Sequence, residues 1–312
     1  MPRTSKLGSR AGYSVVELLI ACVMGVLVLS SALSLAMTTF RSMAGLQLRD
    51  GIDRNARYLG MVLQRDLTET GVDVEALAGS GTLAVWADTI AILRAKWDGP
   101  TNSSVPAYPV SNANMNQGVN NPGGTPTYVD ISSATVPLMA VGDVVRYQKN
   151  SLRRLLLVNS ITRVGTAYRI GFTPGTWLIH HAAGLAGGAP PAIGNPTSAT
   201  VQALAMVMYY RNGTQLMRAQ SLDVATNRPV GAVVAEGVQT FDAWLTFTNG
   251  VEALTADTTN AATSYNQIAG IRVRATMQAE ATDFRVNNGA LLTKQFEWFV
   301  APRNLIYERN RI

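Results

Sequence analysis

The sequence predicts an α+β fold: one long N-terminal helix, a membrane half followed by an amphipathic half, packed on antiparallel β-sheet with long loop insertions. Three observations carry this. Residues 15–37 (VVELLIACVMGVLVLSSALSLAM) form an apolar run with a single charge, Glu17. Residues 41–71 contain no proline and repeat apolar side chains at Ile52, Ala56, Leu59, Leu63 and Leu67, the stripe of an amphipathic helix. From residue 72 onward the period drops to two and turn residues recur.

As a helix the apolar run would reach about 34 Å, enough for one crossing of a bilayer. Basic residues precede it, so the positive-inside rule puts the extreme N-terminus in the cytoplasm and everything after Phe40 outside. Three readings compete. A secretory signal would share the basic start, and Ser34-Leu35-Ala36 is a passable cleavage site. A plain membrane anchor is the second, and a membrane segment whose acid has a functional partner the third. Any of them must place Glu17, because a carboxylate near the start of such a run costs about 2 kcal/mol or more. In the amphipathic half, Arg49, Asp53, Arg57 and Asp66 occupy other faces and read as solvated.

The strands follow by alternation. Ile271, Val273, Ala275, Met277 and Ala279 alternate with Arg272, Arg274, Thr276, Gln278 and Glu280, a half-buried strand. Asn287-Asn288-Gly289 supplies turn chemistry before Phe296, Trp298 and Val300, which predicts a hairpin. A second hairpin is centred on Asn212-Gly213, between the apolar run 201–210 and residues 214–220. Phe241, Ala243, Leu245 and Phe247 mark another strand. Residues 89–96, 144–147, 152–158 and 168–172 complete the set. Three stretches rich in Pro, Gly, Asn, Ala or Thr, 98–127, 182–200 and 249–266, read as surface insertions.

Composition excludes several classes. Charged residues are only 15% of the 312 and hydrophobic residues 47%, so the chain is neither disordered nor a nucleic-acid tail. Half of the net charge of +6 comes from Arg3, Lys6 and Arg10 at the extreme N-terminus, and nucleic acid is not expected as a partner. Arg146, Lys149, Arg153 and Arg154 read as a solvated hairpin around Asn150-Ser151. The one cysteine, Cys22, allows no intrachain disulfide. The only histidines, His180 and His181, lack partners at metal-ligand spacing, and Asp73 with Glu75 is too small a set for calcium. No nucleophile elbow, P-loop or dinucleotide fingerprint occurs, so neither a catalytic residue, a cofactor nor a metal is expected.

One segment carries a family resemblance. Gly12-Tyr13-Ser14-Val15-Val16-Glu17-Leu18-Leu19-Ile20-Ala21 resembles the type III signal of type IV pilins and type II secretion pseudopilins. In that family a short basic leader ends in glycine, and cleavage exposes a first residue, usually phenylalanine, that becomes N-methylated. A glutamate follows four residues later inside the apolar run. With cleavage after Gly12, Tyr13 is the new N-terminus, keeping an aromatic ring, and that glutamate is Glu17. Many major pilins have a proline where this chain has Ser34, so Gly25, Gly45, Gly51 and Gly60 are its only weak points. Met208-Tyr209-Tyr210-Arg211, Leu216-Met217-Arg218, residues 233–238, Ile271-Arg272-Val273-Arg274 and Ala301-Pro302-Arg303-Asn304-Leu305 resemble, more diffusely, the PilW-type minor pilins. They are also similar to the GspJ-type minor pseudopilins, which are usually shorter.

The resemblance implies a pilin-like fold divided as leader 1–12, membrane and filament-core helix 13–40, amphipathic helix 41–71 and β-rich globular domain 72–312. It implies a non-enzymatic minor pilin of the initiation or tip complex, in the inner membrane with its globular domain outside the cytoplasm, and then in a pilus or periplasmic pseudopilus. Expected partners are prepilin peptidase, membrane lipid, the inner-membrane assembly platform, other minor pilins and the major pilin. A GspJ-like pseudopilin of a type II secretion system is the alternative, and a tethered adhesin or enzyme a further one. Glu17 would neutralise the Tyr13 amine of an adjoining subunit. The mature chain is predicted to begin at an N-methylated Tyr13, read by intact-mass and N-terminal peptide analysis; a start near Met37, or an uncleaved Met1, would rule the pilin reading out.

Overall fold

The computed structural model describes residues 14–74, 82–86, 88–101, 103–111, 128–133, 135–149, 152–173, 199–256, 260–284 and 286–306. Helix α1 covers Val15–Thr68 without interruption. The stripe read from the sequence is buried at every position, with Leu59, Leu63 and Leu67 fully so. Each buried leucine contributes about 2 kcal/mol. Gly60, Val62 and Asp66 are buried with them. The helix ends where the backbone turns left-handed at Gly71 (φ 74°), whose N–H donates to the carbonyl of Leu93 at 2.9 Å.

The strands are β1 (Leu83–Trp86), β2 (Thr89–Ala95), β3 (Trp97–Asp98), β4 (Ser103–Ser104), β5 (Tyr108–Pro109), β6 (Tyr128–Ser132), β7 (Val144–Lys149) and β8 (Leu152–Val164). They continue as β9 (Ala167–Phe172), β10 (Thr200–Asn212), β11 (Gln215–Leu222), β12 (Pro229–Ala235), β13 (Val238–Phe247), β14 (Glu252–Ala253), β15 (Ile268–Gln278) and β16 (Thr293–Val300). The larger sheet runs β1-β2-β10-β7-β8-β9-β6, with β11 and β5 also on β10 and β12 beyond β11. A four-stranded sheet runs β14-β13-β15-β16, and β3 pairs with β4. The described pairings of named strands are antiparallel.

Strand β10 organises the larger sheet. Residues 204–210 pair with β2. Residues 200–204 pair with β7 and residues 208–212 with β11, so two strands succeed each other along its second edge. Both of its faces are buried, which explains why its sequence from Ala203 to Tyr210 is a continuous apolar run rather than an alternation. Leu204, Met206 and Met208 enter one cluster with Ala91, Leu93 and Leu157; Val201 and Ala203 enter another with Tyr147, Ile170 and Phe172. In the smaller sheet the alternation holds as read: Phe241, Ala243, Leu245 and Phe247 on β13 and Ile271, Val273, Ala275 and Met277 on β15 are buried.

Some sequence expectations need correction. β15 and β16 do pair, but residues 279–292 join them, and the Asn287–Gly289 turn lies inside that longer connection. The insertion 249–266 is not wholly superficial: Tyr265 is buried and its hydroxyl bonds that of Thr82, and burial pushes its phenol up to about 12. Most of the 98–127 insertion and nearly all of the 182–200 insertion lie outside the described residues. Strands β1, β6 and β12, and the two-residue strands β3, β4, β5 and β14, are not among those the sequence predicts.

The chain divides into two compact units, Met1–Gly51 with Ala281–Leu292, and Ile52–Glu280 with Thr293–Ile312. Within the second, Trp298 on β16 lies against the helix at Gly60, where an added Cβ would sit 2.4 Å from the indole Nε1. At Gly51 a Cβ would meet nothing within 4 Å. Gly51→Ala should therefore stabilise by up to about 1 kcal/mol through helix propensity. Gly60→Ala should destabilise by about 1–3 kcal/mol although the same propensity favours it. Thermal unfolding of the two variants in detergent reads the difference, and equal shifts would overturn the contact.

Candidate functional site

The functional surface named by the sequence is the amino half of α1. Gly12 and Tyr13, and the leader before them, lie outside the described residues. Glu17 is in the first turn of the helix and exposed. Its Oε2 accepts the backbone N–H of Ser14 at 3.2 Å, while Ser14 Oγ accepts the N–H of Val16 at 3.3 Å. Ser14 thus caps the second helical residue while Glu17 reaches back to the N–H of Ser14, a variant of the capping box that satisfies backbone donors the first turn leaves open. The S-x-x-E spacing was present in the sequence and went unread. It gives Glu17 a local role that the resemblance does not supply.

On both sides of Glu17 the apolar side chains face outward. Val15 is 79% exposed and Leu35 70%, against 3% for Ile52 on the same helix. The helix is long and apolar enough to cross a membrane, and its most apolar stretch is entirely unburied. Its hydroxyls are compatible with that setting. Ser30 and Ser31 donate to the carbonyls of Leu27 and Val28, and Thr38 and Thr39 to those of Ser34 and Leu35, each at 2.9 Å. Hydroxyls bonded back into their own helix need no water. Cys22 is exposed among these side chains as a free thiol.

The polar centre of the second unit is one the sequence misassigned. Asp66 is not solvated; it is 2% exposed. The Tyr209 hydroxyl donates to its Oδ2 at 2.5 Å, Arg218 Nε to the same oxygen at 2.6 Å, and Arg65 Nε to Oδ1 at 3.2 Å. Tyr209 and Arg218 are directly opposite one another across β10 and β11. Their register is set by the two-residue connection Gly213-Thr214, in which Gly213 takes φ 63°; the hairpin is therefore centred one residue later than the Asn212-Gly213 pair suggests, with glycine at the first turn position. Burial alone would raise the Asp66 pKa, but the bonds from Arg218 and then Tyr209 outweigh it and hold the carboxyl below its usual range. Burial, then the bond to Asp66, pushes the Tyr209 phenol far up. Arg94 on β2 completes the rim by pairing with Glu69 just past the helix. This cluster ties the helix to β10 and β11.

Other sequence candidates fall as follows. Arg146 is buried, not solvated, and donates to Gln202 Oε1 at 2.7 Å. Gln202 in turn donates to the Asp73 carbonyl at 3.2 Å. The β7–β8 hairpin forms as read, but the side chains of Lys149, Arg153 and Arg154 lie outside the described residues, as do Glu75, His180 and His181. Among the described residues no group of three His, Cys, Asp or Glu could hold a metal ion.

Asp66→Ala leaves the half-buried Arg218 without its carboxylate and should cost about 1.5–3 kcal/mol; Tyr209→Phe should cost about 1 kcal/mol. Because the folded pKa of Asp66 is depressed, its contribution is fully present above the unfolded value of about 3.9 and is lost as pH falls through the folded value. Denaturant titrations through this acid range should therefore show a flatter pH dependence for Asp66→Asn than for wild type, and identical slopes would remove Asp66 from the acid response. No protein-family model, no curated protein and no solved structure matches this chain.

Proposed function

We propose that this chain is a minor pilin of a type IV pilus, a structural subunit of the complex that starts and caps the filament. Prepilin peptidase cuts after Gly12 and Tyr13 becomes the N-methylated terminus. The apolar half of α1 then holds the subunit in the inner membrane with its globular unit outside the cytoplasm. The single observation that carries the reading is the division of one continuous helix. Its second half is packed under sheet, and its first half presents an unburied apolar surface with one carboxylate at its start.

Physical reasoning connects that division to assembly. In lipid there is little hydrophobic drive for helices to associate, since acyl chains are as apolar as leucine. Packing and charge pairing must supply the preference for a neighbouring subunit over lipid. The Tyr13 ammonium created by cleavage and a Glu17 carboxylate on an adjoining subunit are each costly alone in low dielectric and much less so together. On this reading Glu17 serves its own helix as a cap and its neighbour as a counter-ion, with the other minor pilins, the major pilin and the assembly platform as partners.

Substitution separates the two roles. Glutamine closes the same capping box without a charge, whereas alanine removes both. Leader removal should persist in Glu17→Ala and Glu17→Gln, and both should be lost from sheared filaments or from a pulldown of minor pilins. Normal recovery of the glutamine variant would leave the cap as the whole role of Glu17 and overturn the ionic contact. Wild-type protein held by an envelope secretion complex and missing from sheared filaments would transfer the reading to a pseudopilin.

A further inference from the structure

Residues Ala281–Leu292, which join β15 to β16, form a compact unit with the amino half of α1. A Cβ at Gly45 would lie 3.9 Å from Val286 Cγ2, so the connection runs against the helix at that level. Ala44, Gly45 and Leu48 are half-buried there, while Met43 and Leu46, on other sides of the helix, remain over half exposed. The connection braces itself: Val286 N–H donates to the Asp283 carbonyl at 2.9 Å, Gly289 N–H to that of Val286 at 3.0 Å and Asn287 Nδ2 to that of Leu291 at 3.2 Å. On this braced turn Phe284 is 80% exposed.

Depth decides what such a feature meets. Gly45 follows the end of the apolar run at Met37 by about 12 Å of helix axis. The headgroup layer extends about 5–8 Å beyond the hydrocarbon on each side, and tilt of the helix shortens the gap further. The connection meets the helix at the level of Gly45 through Val286, and a phenylalanine side chain two residues away is long enough to span what remains. Arg41 precedes Gly45 by one helical turn and lies on the same side; it is exposed, at the depth of lipid phosphates. Phe40, also exposed, flanks it. An apolar ring beside a cation at this depth is the composition that binds a phospholipid interface.

We propose that Ala281–Leu292 is a membrane foot, with Phe284 seated among the lipid headgroups where the helix leaves the bilayer and Arg41 against their phosphates. This rests on α1 crossing the membrane, and the test separates the two. In the full chain with Cys22→Ala, single cysteines introduced as Phe284→Cys and Leu27→Cys carry an environment-sensitive fluorophore. The proteins are reconstituted in vesicles of equal parts phosphatidylethanolamine and phosphatidylglycerol. The label at position 27 should lose most of its emission to acyl-chain-brominated lipid, and the label at position 284 most of its emission to headgroup-spin-labelled lipid. Quenching at 27 without quenching at 284 would overturn the foot alone. No quenching at 27 would overturn the membrane helix and the foot with it. Emission at 284 that ignores lipid quencher but shifts as protein is crowded in the vesicle would overturn the foot and assign the loop to contact between copies.

Discussion

Asp66 is a charge placed where charges are expensive, and that expense fixes how the helix is seated. A buried carboxylate costs several kcal/mol unless its oxygens are met by well-aligned donors. Here they come from Tyr209 on β10 and Arg218 on β11, with Arg65 from the helix itself. The two strand donors share a face only because Tyr209 stands opposite Arg218 in the ladder. A slip of one residue in β11 would turn Arg218 to the other face of the sheet. The Gly213 turn therefore governs the strand register, the register governs the donors, and the donors decide where Asp66 can be buried. Apolar burial of Leu59, Leu63 and Leu67 is non-directional and by itself weighs little against small slides along the helix, which the Trp298 ring at Gly60 also opposes. The polar pin does not tolerate them, because geometry enters its energy directly.

This hierarchy also explains which parts of the structure were legible in the sequence. The stripe from Ile52 to Leu67 and the alternation through β13 and β15 could be read because burial on one face leaves a periodic trace. Asp66 could not: it lies seven residues beyond Leu59 on the buried face, and a scan for apolar residues passes over an acid. Its partners are 143 and 152 positions away. Arg146 failed for the same reason, since its acceptor Gln202 is 56 residues distant. β1 and β6 are only four and five residues long, too short for a period to declare itself. β12 pairs with β11 through two irregularities in register, which break the alternation a strand is recognised by. At the amino end, by contrast, Ser14 and Glu17 carried a legible cap that the length of the apolar run obscured.

One helix serving two surroundings has a consequence for stability. Side chains that are half exposed or more from Val15 to Leu46 gain nothing from the fold of the isolated chain. A continuous apolar surface of that extent marks a contact with membrane or protein. The back-bonded hydroxyls of Ser30, Ser31, Thr38 and Thr39 have the opposite significance to a polar face. They leave the helix backbone intact and present little unmet polarity outward. The helix is thus consistent along its length with a low-dielectric setting on one part and a packed interior on the other, without proline to interrupt it.

Magnitudes decide how much of Glu17 the cap explains. Closing a capping box contributes about 1 kcal/mol, and a negative charge at a helix N-terminus adds about 0.3–1 kcal/mol through the macrodipole. A carboxylate held near the edge of a hydrocarbon layer costs about 2 kcal/mol or more, so cap and dipole together at best break even. Glutamine would provide the cap without incurring the charge. What stays unexplained by local structure is therefore the charge itself rather than the residue's position. A carboxylate has about four lone-pair sites, and one neutral N–H at 3.2 Å occupies only one of them. An ammonium brought to the remaining oxygen in a medium of low dielectric would change the sign of the balance, because it removes two isolated charges at once. On the proposed reading that ammonium exists only after cleavage and only on a neighbour, which makes the cost of Glu17 in a lone subunit part of what drives the subunit into a filament.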